Sequence, residues 1–242
     1  MVVKTQAYLL EKRELSPTTM HFIFKCEDDF MYKAGQFINF IIDKQDSTRP
    51  MRRAYSICSA YNSTHPREFE LCVKLEGEGE FTPLLFNSSI NDSFNVMGPL
   101  GLFKLHSNTQ EDEIIRDQVF IGAGSGIAPL RSFIRELLIN QNFTRNVTLL
   151  FGARSEEEIL FKDELDKLEQ EYSNFNYIIT LSRPSANWDG LTGYVQDHLT
   201  EIGNISSSQI YICGRTKMVD GVHHKLDELD IAKEQRHHEK FG

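Results

Sequence analysis

No apolar run in the 242-residue chain approaches the roughly 20 residues that a membrane-spanning helix requires. Basic residues are outnumbered, 26 Lys and Arg against 35 Asp and Glu, and the formal net charge is -9. That argues against nucleic acid as a main partner, because binding its phosphates takes a basic surface. The acidic groups at Glu111-Asp112-Glu113, Glu156-Glu157-Glu158 and Glu169 to Glu171 are read as solvated surface. Cysteine is sparse: Cys26, Cys58, Cys72 and Cys213 lie far apart and form no Cys-x-x-Cys pair. Zinc or a Cys-ligated iron–sulfur cluster needs clustered ligands, so neither is expected. A disulfide framework is out of place in a chain of this size without an export signal. Met1 to Gln6 lacks a charged segment followed by an apolar core, and the expected location is cytoplasmic. The doublets His223-His224 and His237-His238 suggest a metal, but adjacent side chains on a helix diverge, and no metal site is expected.

What is present divides into two halves, with no internal repeat and no low-complexity stretch. Apolar residues make up 40% and charged residues 25%, ordinary values for a globular chain with room for one large domain or two small ones. Residues 1–108 read as short strands: Thr19 to Cys26, Gln36 to Ile42, Arg53 to Cys58 and Glu68 to Leu75, separated by Gly, Pro, Asn and Ser clusters. That pattern predicts an antiparallel barrel. The polar stretch Ser107 to Asp117 marks a boundary, and residues 109–242 alternate strands with amphipathic helices. The strands are Gln118 to Ile121, Asn146 to Phe151, Asn176 to Leu181 and Gln209 to Cys213. The helices are expected over Leu130 to Asn140, Glu156 to Tyr172, Tyr194 to Ile202 and Lys217 to Leu229, the second opened by a capping box from Ser155 to Glu158. Nearly continuous apolar strands in such units imply a parallel sheet covered on both faces.

Three loops carry chemistry. Gly122-Ala123-Gly124-Ser125-Gly126-Ile127-Ala128-Pro129 joins a buried strand to a helix. Glycines let the backbone approach a phosphate, the helix start offers free N–H groups, and Pro129 suits the first turn. The same loop would also serve as a plain tight turn. It departs from the Gly-x-Gly-x-x-Gly fingerprint at Ile127, the second strand ends in Gly152-Ala153-Arg154 without an acidic residue, and no Gly-Lys-Ser/Thr follows, which excludes a phosphoryl-transferring P-loop. In Arg53-Ala54-Tyr55-Ser56, alternation puts Arg53 and Tyr55 on one face and Ser56 opposite unless the strand bends. A guanidinium beside a flat aromatic suits a phosphate next to a ring system, and an ordinary strand with a surface arginine reads the same way. In Gly77-Glu78-Gly79-Glu80-Phe81-Thr82-Pro83, Thr82 is a candidate N-cap and Pro83 a first helical residue, with Lys74 on the preceding strand. That element serves either a phosphate or simple closure of the barrel.

Six motifs now stand in order: Arg53 to Ser56, Gly79 to Thr82, Gly98-Pro99-Leu100-Gly101, Gly124 to Pro129, Cys213-Gly214-Arg215-x-x-Met218, and Glu239-Lys240-Phe241. Over residues 5–242 the chain resembles the ferredoxin–NADP reductase family. The resemblance implies a six-stranded antiparallel FAD-binding barrel, followed by a Rossmann-like parallel five-stranded sheet with helices on both faces that binds NAD(P)H. It implies that Arg53 pairs with the FAD pyrophosphate, Tyr55 packs along the isoalloxazine beside Ala54, and Ser56 hydrogen-bonds near the flavin. Val73, Lys74, Gly79, Glu80, Phe81 and Thr82 complete that site. Gly124, Ser125, Gly126 and Pro129 take the nicotinamide dinucleotide's pyrophosphate, and Cys213, Gly214 and Met218 lie toward the nicotinamide. Glu239 joins Ser56 and Cys213 as a catalytic candidate, and Phe241 covers the flavin ring.

Arg154 and Ser182-Arg183 end two successive strands, and positive charge there suits the 2′-phosphate of NADPH. Tyr194 and Gln196 also resemble NADPH-using relatives, while Thr192 takes the place of their lysine and Trp188 to Val195 is similar to NADH-using ones; the reading leans to NADPH. The implied reaction is hydride transfer between NAD(P)H and flavin, with electrons passed to a separate acceptor: a ferredoxin-like protein, an oxygenase component, a cytochrome or free flavin. Two other readings stay open, a flavin-binding relay subunit of a larger complex without solitary activity and a nucleotide-binding regulatory module without flavin.

Overall fold

The computed structural model describes residues 2–42, 50–75, 79–106 and 116–241. The first sheet contains β1 (Val3–Ser16), β2 (Thr19–Cys26), β3 (Phe37–Ile42), β4 (Met51–Ser56), β5 (Glu68–Lys74) and β6 (Ser93–Leu100), in the order β4-β3-β6-β1-β2-β5. Every pair in it is antiparallel. The long β1 serves two neighbours, pairing with β6 through Val3 to Tyr8 and with β2 from Ala7 to Ser16. Its bulges between Leu9 and Glu11 and between Glu14 and Ser16 supply the extra twist that curls the sheet. The outer edges meet just beyond β4, where Ile57 bridges Leu71 and the Cys58 N–H donates to the Glu70 carbonyl at 2.8 Å. The sheet thus closes on itself as a barrel.

Apolar residues alternate inward along these strands and place Phe22, Phe24, Phe40 and Phe69 in a dry core, with the Phe24 and Phe69 rings stacked at 5.4 Å. A short helix, α1 (Phe81–Asn87), plugs the barrel with Phe81 and Leu85. Its N-cap is Glu80, not Thr82. The helix starts two residues early because Phe81 is driven onto Phe40, with ring centroids 4.8 Å apart. Pro83 remains within the first turn, where a missing N–H costs nothing.

The second sheet is wholly parallel: β7 (Gln118–Ala123), β8 (Val147–Ala153), β9 (Phe175–Leu181), β10 (Leu191–Thr192), β11 (Gln209–Arg215) and β12 (Arg236–Phe241), ordered β10-β9-β8-β7-β11-β12. It has six strands where five were expected. The two-residue β10 and the polar tail β12 carry no strand pattern of their own. Each is made a strand by backbone pairing, β12 in register from Ile210↔Arg236 to Arg215↔Phe241. The central β7 and β11 are buried almost end to end, as strands covered on both faces must be.

The helices are α2 (Ile127–Arg135), extended by a π turn over Glu136–Asn140, α3 (Lys162–Glu171) and α4 (Thr216–Glu228). The helix expected from Glu156 is broken. A 3₁₀ turn spans Glu156–Glu158, Ser155 makes no side-chain cap, and Phe161 takes φ +58° before α3 begins. Ile159, Leu160 and Phe161 are all buried, and a helix cannot turn three consecutive residues toward one core. The helix expected near Tyr194 is a 3₁₀ turn, Val195–Glu201, in which the Asp197 carboxylate accepts the Tyr194 N–H at 3.1 Å. The reading that divides the chain at 108/109 falls outside the described residues; the flanking strands end at Leu100 and begin at Gln118. Among the described residues no helix is long and apolar enough to cross a membrane.

Candidate functional site

From β7 the chain steps one way to β8 and later returns on the other side to β11. In an open parallel sheet, ligands bind in the crevice beyond the carboxyl ends at such a reversal. Here the barrel stands across that crevice, leaving a cleft of about 320 Å³, near the lower end of the usual range for ligand sites.

Ala54, Tyr55 and Ser56 of β4 form the barrel wall with Val73 and Lys74 of β5 and Thr82 of α1. Tyr55 and Ser56 both border the cleft despite being neighbours on a strand, because regular pairing stops at Ser56 and the chain bends into the Ile57 bridge. Tyr55 is held by Phe40 and Phe81, with ring centroids at 5.7 and 6.0 Å. Arg53 lies outside the lining, exposed, with its guanidinium donating to the Arg52 carbonyl at 3.0 Å. Glu80 is exposed and Gly79 half-buried, and Gly77 and Glu78 are outside the described residues.

On the opposite wall stand Ser125 and Ala128 of the glycine loop and Glu239, Lys240 and Phe241 of β12. Gly124 to Gly126 form a 3₁₀ turn leading into α2, and neither start has a side-chain cap. The Ile127 N–H already donates to the Gly124 and Ser125 carbonyls and Pro129 has none, so the N–H groups that a helix start leaves for an anion are those of the Gly124 to Gly126 turn. Gly124 has φ +54°, and nothing lies within 4 Å of where a Cβ would project. Gly126 is the opposite case, since a Cβ there would fall 2.2 Å from the Cys213 carbonyl oxygen. Pro129 is buried in the first turn of α2.

Ser56 and Glu239 join the two walls. The Ser56 hydroxyl donates to Glu239 Oε2 at 3.2 Å across 183 positions of sequence. Burial pushes the Glu239 carboxyl above its ordinary range, and the bond from Ser56 offsets part of that rise. Glu239 pairs in register with Cys213, whose thiol is fully buried behind it. Burial first, and the Glu239 charge second, hold that thiol well above its usual value. It is a neutral, apolar filler rather than a thiolate nucleophile. Gly214 is buried beside Met218, whose sulfur lies 3.2 Å from the position of a Gly214 Cβ.

Arg154 and Arg183 are exposed at the ends of β8 and β9 and are held side by side by backbone bonds. The Arg183 N–H donates to the Arg154 carbonyl at 2.7 Å, and the Ser182 N–H to Ala153 at 3.1 Å. The Arg154 guanidinium is 3.9 Å from Glu158. Among the described residues one grouping brings metal-ligand atoms together, His21, Cys58 and Glu70, within 4.8 Å. The Arg131 guanidinium already supplies its cation, 2.7 Å from Glu70. Phe37 and Cys72 line the cleft without having been singled out as site residues in the sequence, whereas Ala128 and Lys240 line it from within the motifs Gly124 to Pro129 and Glu239 to Phe241. Phe37 and Cys72 are ordinary strand residues brought there by register, and they carry no local signal.

An aromatic and a hydroxyl on a barrel face a glycine-turned helix start at the reversal of a parallel sheet, and together with the matches that follow they identify an NAD(P)H-dependent flavoprotein oxidoreductase. Its two cofactors are FAD and a nicotinamide dinucleotide. The family models agree half by half: residues 6–105 match the oxidoreductase FAD-binding domain and residues 120–224 the oxidoreductase NAD-binding domain. A ferredoxin–NADP reductase B of Sorangium cellulosum is 32% identical, with 98% of this chain and 97% of the relative covered. An NADH-cytochrome b5 reductase 1 of Laccaria bicolor is 31% identical over 91% of this chain and 71% of its own. The FAD/NAD-binding domain of nitric oxide dioxygenase from Vibrio cholerae superposes with a TM-score of 0.85 at 28% identity, covering 98% of both chains. The chain belongs to the ferredoxin–NADP reductase family.

Proposed function

We propose that the protein takes hydride from NAD(P)H, with a lean to NADPH, and delivers electrons to a separate redox protein, a ferredoxin-like carrier or an oxygenase component, with free flavin as a substitute acceptor. One observation carries this reading: two ligand walls of different build, one aromatic and one anion-binding, meet in a single cleft and are joined by Ser56 and Glu239. On the barrel wall Tyr55 offers a flat apolar face for the flavin ring, Lys74 and Arg53 supply positive charge for its pyrophosphate, and the turn from Gly79 to Thr82 closes that end. Across the cleft the loop Gly124 to Pro129 receives the dinucleotide pyrophosphate. Arg154, Ser182 and Arg183 favour the extra phosphate of NADPH, while Cys213, Gly214 and Met218 shape the nicotinamide end.

Bound FAD supplies the chemistry, accepting a hydride and releasing electrons one at a time. The chain itself binds, aligns and excludes water. Ser56 presents a hydroxyl proton and Glu239 the acceptor for it, so the two hold one proton at the floor of the cleft. Phe241 screens that floor from solvent. Two of the three similar proteins described above are named for ferredoxin and for cytochrome b5.

The test is a visible spectrum of the purified protein followed by anaerobic titration with NADPH and with NADH. Bleaching of a bound yellow chromophore, more efficiently with NADPH, is expected. A colourless protein, or a flavin that neither nucleotide bleaches, refutes the function; equal or better efficiency with NADH refutes the NADPH lean. Reduction of an added ferredoxin, but not of cytochrome c without one, would support the protein carrier.

A further inference from the structure

We propose that Arg131 is the positioning residue of this reductase, a buried guanidinium that sets the angle at which the nucleotide half meets the flavin half. The proposal rests on the hydride-transfer reading above.

Arg131 lies on α2, the helix that begins at the glycine loop, and is 4% exposed. Its Nε and second terminal nitrogen bind Glu164 of α3 at 2.9 and 2.8 Å. Its remaining terminal nitrogen reaches out of the nucleotide half to the barrel. There it binds Glu70 of β5 at 2.7 Å and the Cys58 carbonyl at 2.8 Å. The next residue repeats the tie, with the Ser132 hydroxyl donating to the Ser59 carbonyl at 2.7 Å. Cys58 and Ser59 lie two and three residues after Ser56, which ends β4, and Arg131 follows closely on Ser125 and Ala128. The anchors are thus short levers on the two walls of the cleft.

The barrel side of the anchor is itself held. Glu70 accepts a bond from His21 Nε2 at 2.8 Å, and Arg13 Nε donates to His21 Nδ1 at 3.2 Å. Because Arg13 can only donate, His21 carries its proton on Nε2 and gives it to Glu70. A line of paired groups therefore runs from β1 through β2 and β5 into α2 and α3, where Arg135 closes it on Glu164 at 2.7 Å. Phe161 packs under the guanidinium at 4.4 Å and edge-on to His21 at 5.4 Å. It does so in the left-handed backbone region, at φ +58°. A bulky residue keeps such a conformation only where its surroundings over-determine it, and strain of this kind gathers at functional sites. A guanidinium holds two carboxylates at fixed directions through the five donors of a rigid planar fork, whereas a lysine ammonium is a compact charge on a flexible stem.

Alignment of two reacting rings is sensitive to the domain angle, since a displacement of about 1 Å costs roughly 100-fold in rate. Arg131→Met takes the shared cation from two half-buried carboxylates, leaving Glu70 with His21 and Glu164 with Arg135, so its effects mix stability with geometry. The informative variant is Arg131→Met with Glu70→Gln and Glu164→Gln, which removes the buried guanidinium together with both carboxylate charges, while the amide oxygen at position 164 can still accept from half-buried Arg135. This variant is expected to keep bound FAD, to recover the melting temperature lost by Arg131→Met alone, and to keep native affinity for ADP-ribose, which needs only the nucleotide half. Its limiting rate of flavin reduction at saturating NADPH should fall 10- to 100-fold, and the long-wavelength nicotinamide–flavin charge-transfer band should weaken. Spin labels on Asn87→Cys in the barrel and Lys167→Cys on α3 should report a broader inter-half distance distribution than in the parent. A native distance distribution in the triple variant overturns the proposal, as does a native limiting rate with a native charge-transfer band. If the parent protein shows no flavin reduction at all, the hydride-transfer reading fails, and the distance measurement still decides whether Arg131 sets the angle.

Discussion

Gly126→Ala is the sharpest local test of the glycine loop, because the obstacle it meets is backbone. The added methyl would lie 2.2 Å from the Cys213 carbonyl oxygen and 2.7 Å from its carbonyl carbon. Ordinary contact is more than 1 Å longer, so the start of α2 and the end of β11 must separate by about that distance. Neither can yield easily: β11 is paired on both edges, and α2 is pinned to the barrel through Arg131 and Ser132. Overpacking of this kind costs about 1–3 kcal/mol. In a chain of this size that lowers the melting temperature by roughly 2–12 °C. The larger effect is on function. The N–H groups that would receive the dinucleotide pyrophosphate move with the helix start, and about 1 Å of misplacement reduces kcat/KM for NAD(P)H about 100-fold while leaving FAD content unchanged. Gly124→Ala is the control, since its methyl enters open space and carries only the roughly 1 kcal/mol of a left-handed alanine. Steady-state kinetics with both nucleotides, alongside flavin absorbance and calorimetry, measures all of this. A Gly126→Ala protein with parental kcat/KM would refute the close-approach argument.

Ser56→Ala removes the hydroxyl that bonds Glu239 and is expected to slow single-turnover flavin reduction at least 10-fold with FAD retained; unchanged stopped-flow traces would remove Ser56 from the mechanism. Arg183→Glu puts a negative charge at the end of β9 and should lower kcat/KM for NADPH by 10-fold or more while sparing NADH, and equal losses with both nucleotides would place Arg183 elsewhere. His237 stacks on His106 with centroids 3.7 Å apart, and burial, then the charges of His106 and His238, hold its pKa down to about 4. Between the ordinary histidine value of about 6.5 and that pH the unfolded chain binds the proton and the folded one does not, so stability falls as pH falls through this window. His237→Phe keeps a flat ring and should flatten the slope of melting temperature against pH there, and a slope identical to the parent's would show that the pair does not couple to folding.

The loops that punctuate the chain were legible in its sequence because their chemistry is local. A run such as Gly122 to Pro129 states in eight residues that a strand ends, the backbone turns tightly and a helix starts with free N–H groups. Period-2 alternation around Phe22 and Phe24, and continuous apolar runs at Gln118 and Gln209, likewise separated an antiparallel barrel from a parallel sheet. The tertiary structure alone decided what depends on partners far away in sequence. Arg236 to Phe241 is too polar to announce itself as a strand, and it becomes one only because β11 presents an open row of backbone groups. The helix read through Glu156 to Tyr172 broke at Phe161 because a ring was needed against His21 and Arg131, a demand that no local pattern expresses. Glu239 reached Ser56, and Arg131 reached Glu70, for the same reason: hydrogen bonds and ion pairs are satisfied by position in space, and residues 183 and 61 apart acquire that position only when both halves have packed.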